Sequence, residues 1–165
     1  MQKIVRVIVI CFVCISFQQA TAQTKSTVEK DTLSFPYHPE ANAEEELDQL
    51  IHEAAKESKH IIIQAGGNWC IWCLRFNDYI HKTADINYYL QNNYLYYHLN
   101  YSKENKNENV FNKYVPDSLK LSYPFFIVLD SEGKVLKIQE SGALEDGKSY
   151  NKDKVMEFFR TWAKK

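Results

Sequence analysis

Cysteine is too scarce in this chain for a stapled fold. Four cysteines in 165 residues exclude a disulfide-dense miniature, in which cysteines are spread along the sequence. Five glycines and four prolines exclude collagen-like and low-complexity classes. No charge of one sign dominates: 20 basic against 21 acidic residues leave −1, which gives no electrostatic footprint for nucleic acid. No apolar run is long enough to span a bilayer, since the longest, Val7 to Phe17, has eleven residues against about 20 needed. What is present is aromatic and apolar matter. Hydrophobic residues make up 45% and tyrosine alone supplies 11 positions, enough for the core of one domain at this length.

The first 22 residues stand apart. Lys3 and Arg6 precede the apolar run, and Ala20-Thr21-Ala22 supplies small residues at a cleavage position. This is the pattern of a secretory signal over residues 1–22, removed before Gln23. An uncleaved anchor is the competing reading, and the short run counts against it. A lipid anchor on cysteine fits less well, because Ile10 and Val13 precede Cys11 and Cys14. Cleavage removes both of these cysteines and leaves Cys70 and Cys73 as a single close pair. The expected location is periplasmic or otherwise extracytoplasmic.

Residues 23–39 are polar and irregular, with Pro36 and Pro39, and read as a linker or arm; Leu33-Ser34-Phe35 is a short edge-strand candidate. Residues 40–165 read as one domain. Asn42 caps a helix whose first turn holds Glu44, Glu45 and Glu46, matching the helix dipole. Leu47, Leu50, Ile51 and Ala54 give its apolar face to about Ser58. His60 to Ala65 is a buried strand, and Gly66-Gly67 breaks it. A helix runs from Cys70 toward Lys82, and Asp85 to Asn92 makes another turn or two. Tyr94 to Asn100 alternates as a second strand. Lys103 to Asn109 is a polar loop, and Val110 to Tyr114 is a short helix. Phe125 to Leu129 is the most strand-like run. Asp130 to Gly133 turns it back into Val135 to Gln139, an antiparallel return. Gly142 to Asn151 reads as a loop, and Asp153 to Ala163 as the final helix. Strand–helix–strand followed by a hairpin predicts an α/β fold, a central mixed β-sheet flanked by helices.

Cys70-Ile71-Trp72-Cys73 opens a helix just past a strand, the layout of a dithiol site. Unpaired N–H groups at a helix start favour an anion there, and the thiolate is the species that attacks disulfides. A static disulfide and a metal site are the other readings. Zinc wants four ligands. Only two cysteines remain after cleavage, the nearest histidine in sequence is His81, and no second paired motif completes a site.

The element order, with Gly66-Gly67-Asn68-Trp69-Cys70-Ile71-Trp72-Cys73 and Tyr123-Pro124 before the hairpin, resembles the thioredoxin superfamily. It looks most like its exported members with a Gly-x-Asn-Trp-Cys-x-x-Cys site. The similarity covers about Pro39 to Lys165. It implies a thioredoxin-like fold and thiol–disulfide oxidoreductase activity. Cys70 matches the exposed attacking cysteine, Cys73 the shielded resolving one, and Trp69 the flanking tryptophan. Pro124 matches the family's cis-proline, and Tyr123 would offer its backbone to a substrate strand.

One position departs. Many thioredoxins have a buried Asp six residues before the first cysteine, where this chain has Gln64, which cannot accept a proton. Ile71 and Trp72 bring no positive charge between the cysteines, so the disulfide is expected not to be strongly oxidising. Trp72 reads either as an exposed platform for partner proteins or as packing on its own helix. No bound cofactor is expected, since the thiols carry the electrons. The expected partners are disulfide-bearing exported proteins and a membrane-linked thiol reductant, met by a monomer. A binding or chaperone-like module on the same fold, without turnover, is the competing function.

Overall fold

In the computed structural model, residues 29–165 are described; residues 1–22, read as the signal, and Cys11 and Cys14 lie outside them. The chain divides into Met1–Ser34 and Phe35–Lys165. In the first unit the described residues close one turn, with the amide and hydroxyl of Thr32 both donating to the Glu29 carbonyl. Leu33–Phe35 forms no strand, contrary to expectation. Phe35 is 51% exposed, so it has no sheet face to fill, and Pro36 has no N–H to give a ladder.

The second unit begins with an irregular stretch and enters α1 (Ala43–Glu57). The Asn42 side chain caps the Glu45 amide, and the chain leaves α1 through Ser58 in the left-handed conformation (φ 57°). There follow β1 (His60–Gly66), α2 (Ile71–Lys82), α3 (Ala84–Asn93), β2 (Tyr94–Asn100), α4 (Glu108–Tyr114), β3 (Phe125–Leu129) and β4 (Val135–Glu140). A short 3-10 turn (Ser141–Leu144), β5 (Glu145–Asp146), β6 (Ser149–Tyr150) and α5 (Lys152–Trp162) complete it.

The main sheet has the order β2-β1-β3-β4. β1 and β2 are parallel, and the pairs β1–β3 and β3–β4 are antiparallel. This is the expected mixed sheet with helices on both faces. Alternation along the strands decides which residues face which helices. Ile62, Phe126 and Val128 pack with Phe76 and Ile80 of α2, Ile86 and Leu90 of α3, and Val155 and Phe159 of α5. Ile61, Ile63, Ile127 and Leu129 face the other way, toward Leu47 and Ala54 of α1 and Val110 and Tyr114 of α4.

The stretch expected to be a loop after β4 carries structure. Gly147 (φ 58°) lets β5 turn into β6 as the first residue of the two-residue loop Gly147-Lys148, a Gly-x hairpin signal that two-residue strands made easy to pass over. The ladder sets Tyr150 against Phe76, ring centroids 4.7 Å apart, and so closes the core beside α2. Among the described residues, no helix is long and apolar enough to cross a membrane.

Candidate functional site

Cys70 is the N-cap of α2, and its Sγ accepts a hydrogen bond from the Cys73 amide at 3.2 Å. The two cysteines form a disulfide with Cα atoms 5.2 Å apart. Residue spacing sets this proximity: positions three apart at a helix start lie on one face. The cysteines are unequal. Cys73 is fully buried, whereas Cys70 keeps 7% of its surface. That is far less exposure than the resemblance implies. The cause is the aromatic wall around it, where Trp72 and Tyr123 pack on the Cys70–Cys73–Tyr37 cluster.

Gln64 lies directly behind Cys73. On β1 it points to the α2 face, opposite His98 of β2 and Phe126 of β3. It is completely buried, and both ends of its amide are engaged. Nε2 donates to the Tyr37 hydroxyl (2.6 Å) and to the Cys73 carbonyl (3.0 Å). Oε1 accepts from the Tyr96 hydroxyl (2.6 Å). The place where many thioredoxins have a carboxylate is therefore filled here by a neutral, hydrogen-bonded group.

Tyr37, Tyr96 and His98 escaped the sequence reading. Tyr37 lies between two prolines, two positions after the exposed Phe35, and no local signal sets it apart as core. It is buried nonetheless. The Asn68 side chain holds its backbone from both sides, Oδ1 accepting from the Tyr37 amide (3.2 Å) and Nδ2 donating to the Tyr37 carbonyl (2.7 Å). Asn68 thus ties the stretch around Tyr37 to the cysteine loop. Asn105 extends the seam by donating to the carbonyls of Pro39 (3.0 Å) and Ala41 (3.4 Å).

The Tyr123–Pro124 peptide is cis. The Tyr123 ring stacks on Tyr101 (5.3 Å between centroids) and meets Trp69 edge-on (5.5 Å). The Trp69 indole N–H donates to the Tyr101 carbonyl (2.6 Å), leaving a ring that is 53% exposed. The exposed aromatic beside Cys70 is therefore Trp69. Trp72 is half-buried, edge-on to Tyr150 (5.8 Å), with the Arg75 guanidinium 4.9 Å above its ring. Trp72 thus touches Arg75 of its own helix and Tyr150 outside it, and keeps part of its surface open. Ile71 is also half-buried. Among the described residues, no three His, Cys, Asp or Glu side chains converge as a metal ion needs.

His98 packs edge-on against Tyr37 (5.2 Å) and leans on Tyr96 (5.1 Å). Its Nε2 is buried with no hydrogen-bond partner. Burial, reinforced by His81 and His38, pushes its pKa down to about 4. In the unfolded chain this ring takes a proton as pH falls through about 6.5, while the folded protein resists until about 4. Its contribution to stability is therefore complete above pH 6.5 and is lost as pH falls across that window. Urea midpoints should fall more steeply between about pH 6.5 and 4 for the native chain than for His98→Phe. Equal slopes would show that His98 does not titrate there.

No protein-family model matches the chain, and no curated protein matches it. Among solved structures it is similar to the disulphide isomerase from Xylella fastidiosa Temecula1. The TM-score is 0.67 at 18% identity, over 79% of this chain and 98% of that one. A redox protein from Chlamydomonas reinhardtii is similar over 59% of this chain and 28% of its own length, at 23% identity; its TM-score of 0.44 is too low to carry an argument. The fold is thioredoxin-like.

Proposed function

We propose that this protein is an extracytoplasmic thiol–disulfide oxidoreductase that reduces or exchanges disulfides in exported proteins. The observation that carries the reading is the Cys70–Cys73 disulfide at the start of α2, with surface left on Cys70 alone. The fold shared with the Xylella disulphide isomerase supplies the scaffold.

In the reduced pair, Cys70 is the attacking sulfur. The Cys73 amide and the α2 terminus stabilise its thiolate. The thiolate attacks a client disulfide; that S–S bond breaks, a Cys70–client disulfide forms, and one client sulfur leaves and takes a proton. Cys73 then attacks Cys70, gives its proton to the second departing client sulfur and closes the Cys70–Cys73 bond. The client gains two electrons and two protons, and the pair loses them. No bound cofactor enters this balance. Tyr123, just before Pro124, presents its backbone to the client strand, while Trp69, Ile71 and Trp72 shape the surface it crosses. A membrane-linked thiol donor restores the reduced pair, and the protein works as a monomer without nucleic acid.

The test is reduction of insulin disulfides by the full chain with a thiol donor. Turnover that vanishes in Cys70→Ser supports the oxidoreductase; no turnover in the native chain favours the binding module. A reduction potential near about −270 mV would mark a reductant, and one near about −120 mV an oxidant.

A further inference from the structure

A buried carboxylate beside the second cysteine would take its proton, but it would also repel the thiolate that remains. This chain has no acid at position 64, and the Gln64 amide that stands there holds the Tyr37 hydroxyl beside Cys73. We propose that Tyr37 is a positioning residue for the thiol pair, its hydroxyl donating a hydrogen bond to the Cys73 sulfur once the disulfide opens. The inference rests on the oxidoreductase reading and adds the group that stabilises its resolving thiolate.

The placement carries it. A Cβ built on Gly66 would lie 2.5 Å from Cys73 Sγ and 2.9 Å from the Tyr37 hydroxyl oxygen. The two atoms therefore converge on one small space, kept open because residue 66 has no side chain. Gln64 Nε2 donates to the hydroxyl oxygen, which engages that oxygen as an acceptor and leaves its proton for another partner. Gln64 cannot swing away, because Tyr96 and the Cys73 carbonyl hold its other contacts. The grip of Asn68 on the Tyr37 backbone fixes the ring from the far side. Burial raises the Tyr37 phenol well above its usual range, so it stays a donor throughout. The titratable groups that face it are Cys70 and Cys73 of α2, Tyr96 and His98 of β2, and Tyr150 of β6. None of these is a carboxylate. Tyr37 keeps its proton through the cycle; the Cys73 proton leaves with the client thiol.

The experiment uses the full chain carrying Cys70→Ser together with Cys11→Ser and Cys14→Ser, so that Cys73 is its single thiol. Its ionisation is followed by ultraviolet thiolate absorbance. Adding Tyr37→Phe should cut the thiolate fraction at neutral pH about tenfold, the scale of one hydrogen bond to a charged sulfur. Adding Tyr96→Phe, which leaves the Tyr37 hydroxyl in place, should change it less than threefold on the same scale. An unchanged fraction in Tyr37→Phe, or equal changes in both variants, would overturn the proposal. Should Tyr37→Phe fail to fold, site-specific 3-fluorotyrosine at position 37, a stronger donor, should raise the thiolate fraction; no rise would overturn it too. Cys73 titrates whether or not a client is turned over. Failure of the insulin assay would therefore count against the oxidoreductase reading and leave this result standing.

Discussion

A Cys73→Ser chain incubated with disulfide-bearing exported proteins should accumulate covalent adducts that run apart on non-reducing gels and collapse on adding thiol. Cys70→Ser should give none, and the native chain only traces. The expected contrast is nearly all-or-none, because it follows from accessibility rather than from a rate constant. Cys73 has no exposed surface, and the Gln64–Tyr37 pair covers it from the sheet side. A client sulfur therefore meets Cys70 first. With Cys73 changed to serine, the mixed disulfide at Cys70 lacks the neighbouring thiol that would release it. Adducts of similar abundance in the two variants would show that either sulfur can be attacked, and the division of roles would fall.

What sequence reasoning recovered here was local. Ile61-Ile62-Ile63, two glycines and a cysteine pair at a helix start announce a strand, a tight turn and a redox helix within about a dozen consecutive positions. Phe125 to Leu129 with its short return announces a hairpin in the same way. The parts it missed depend on partners far along the chain. Asn68 reads only as one letter of a motif until its amide is seen gripping the backbone of Tyr37, 31 positions away. Tyr37 itself carries no periodicity, so its burial is dictated by what waits for it: the space beside Gly66 and the amide of Gln64. Gln64 illustrates the boundary best. Its identity marked it as a departure from the Asp of many thioredoxins, but which way it faces is given by the ladder in the structure. That its amide would be fully hydrogen-bonded depended on Tyr37 and Tyr96, which no pattern linked to it. Leu33–Phe35 failed for the opposite reason. Its alternation was adequate, but no sheet edge received it.

Gln64→Leu should be the most destabilising single change at the site, costing roughly 3 kcal/mol. Leucine nearly matches the glutamine side chain in size, so little of the loss comes from a cavity. It comes from three abandoned partners. The Tyr96 hydroxyl loses its acceptor, and the Tyr37 hydroxyl and the Cys73 carbonyl each lose a donor. A buried polar group left unpaired costs about 1–3 kcal/mol. Water cannot readily replace the amide, because Gln64 is wholly enclosed and its neighbours Ile62 and Phe126 are equally dry. For a domain of this size the melting temperature of the oxidised chain should drop by roughly 10 °C. Gln64→Leu together with Tyr37→Phe should be less destabilised than the sum of the two single changes, because the second removes a group the first has orphaned. Strict additivity, or a loss below about 0.5 kcal/mol for Gln64→Leu, would mean that the amide is not the keystone of this cluster.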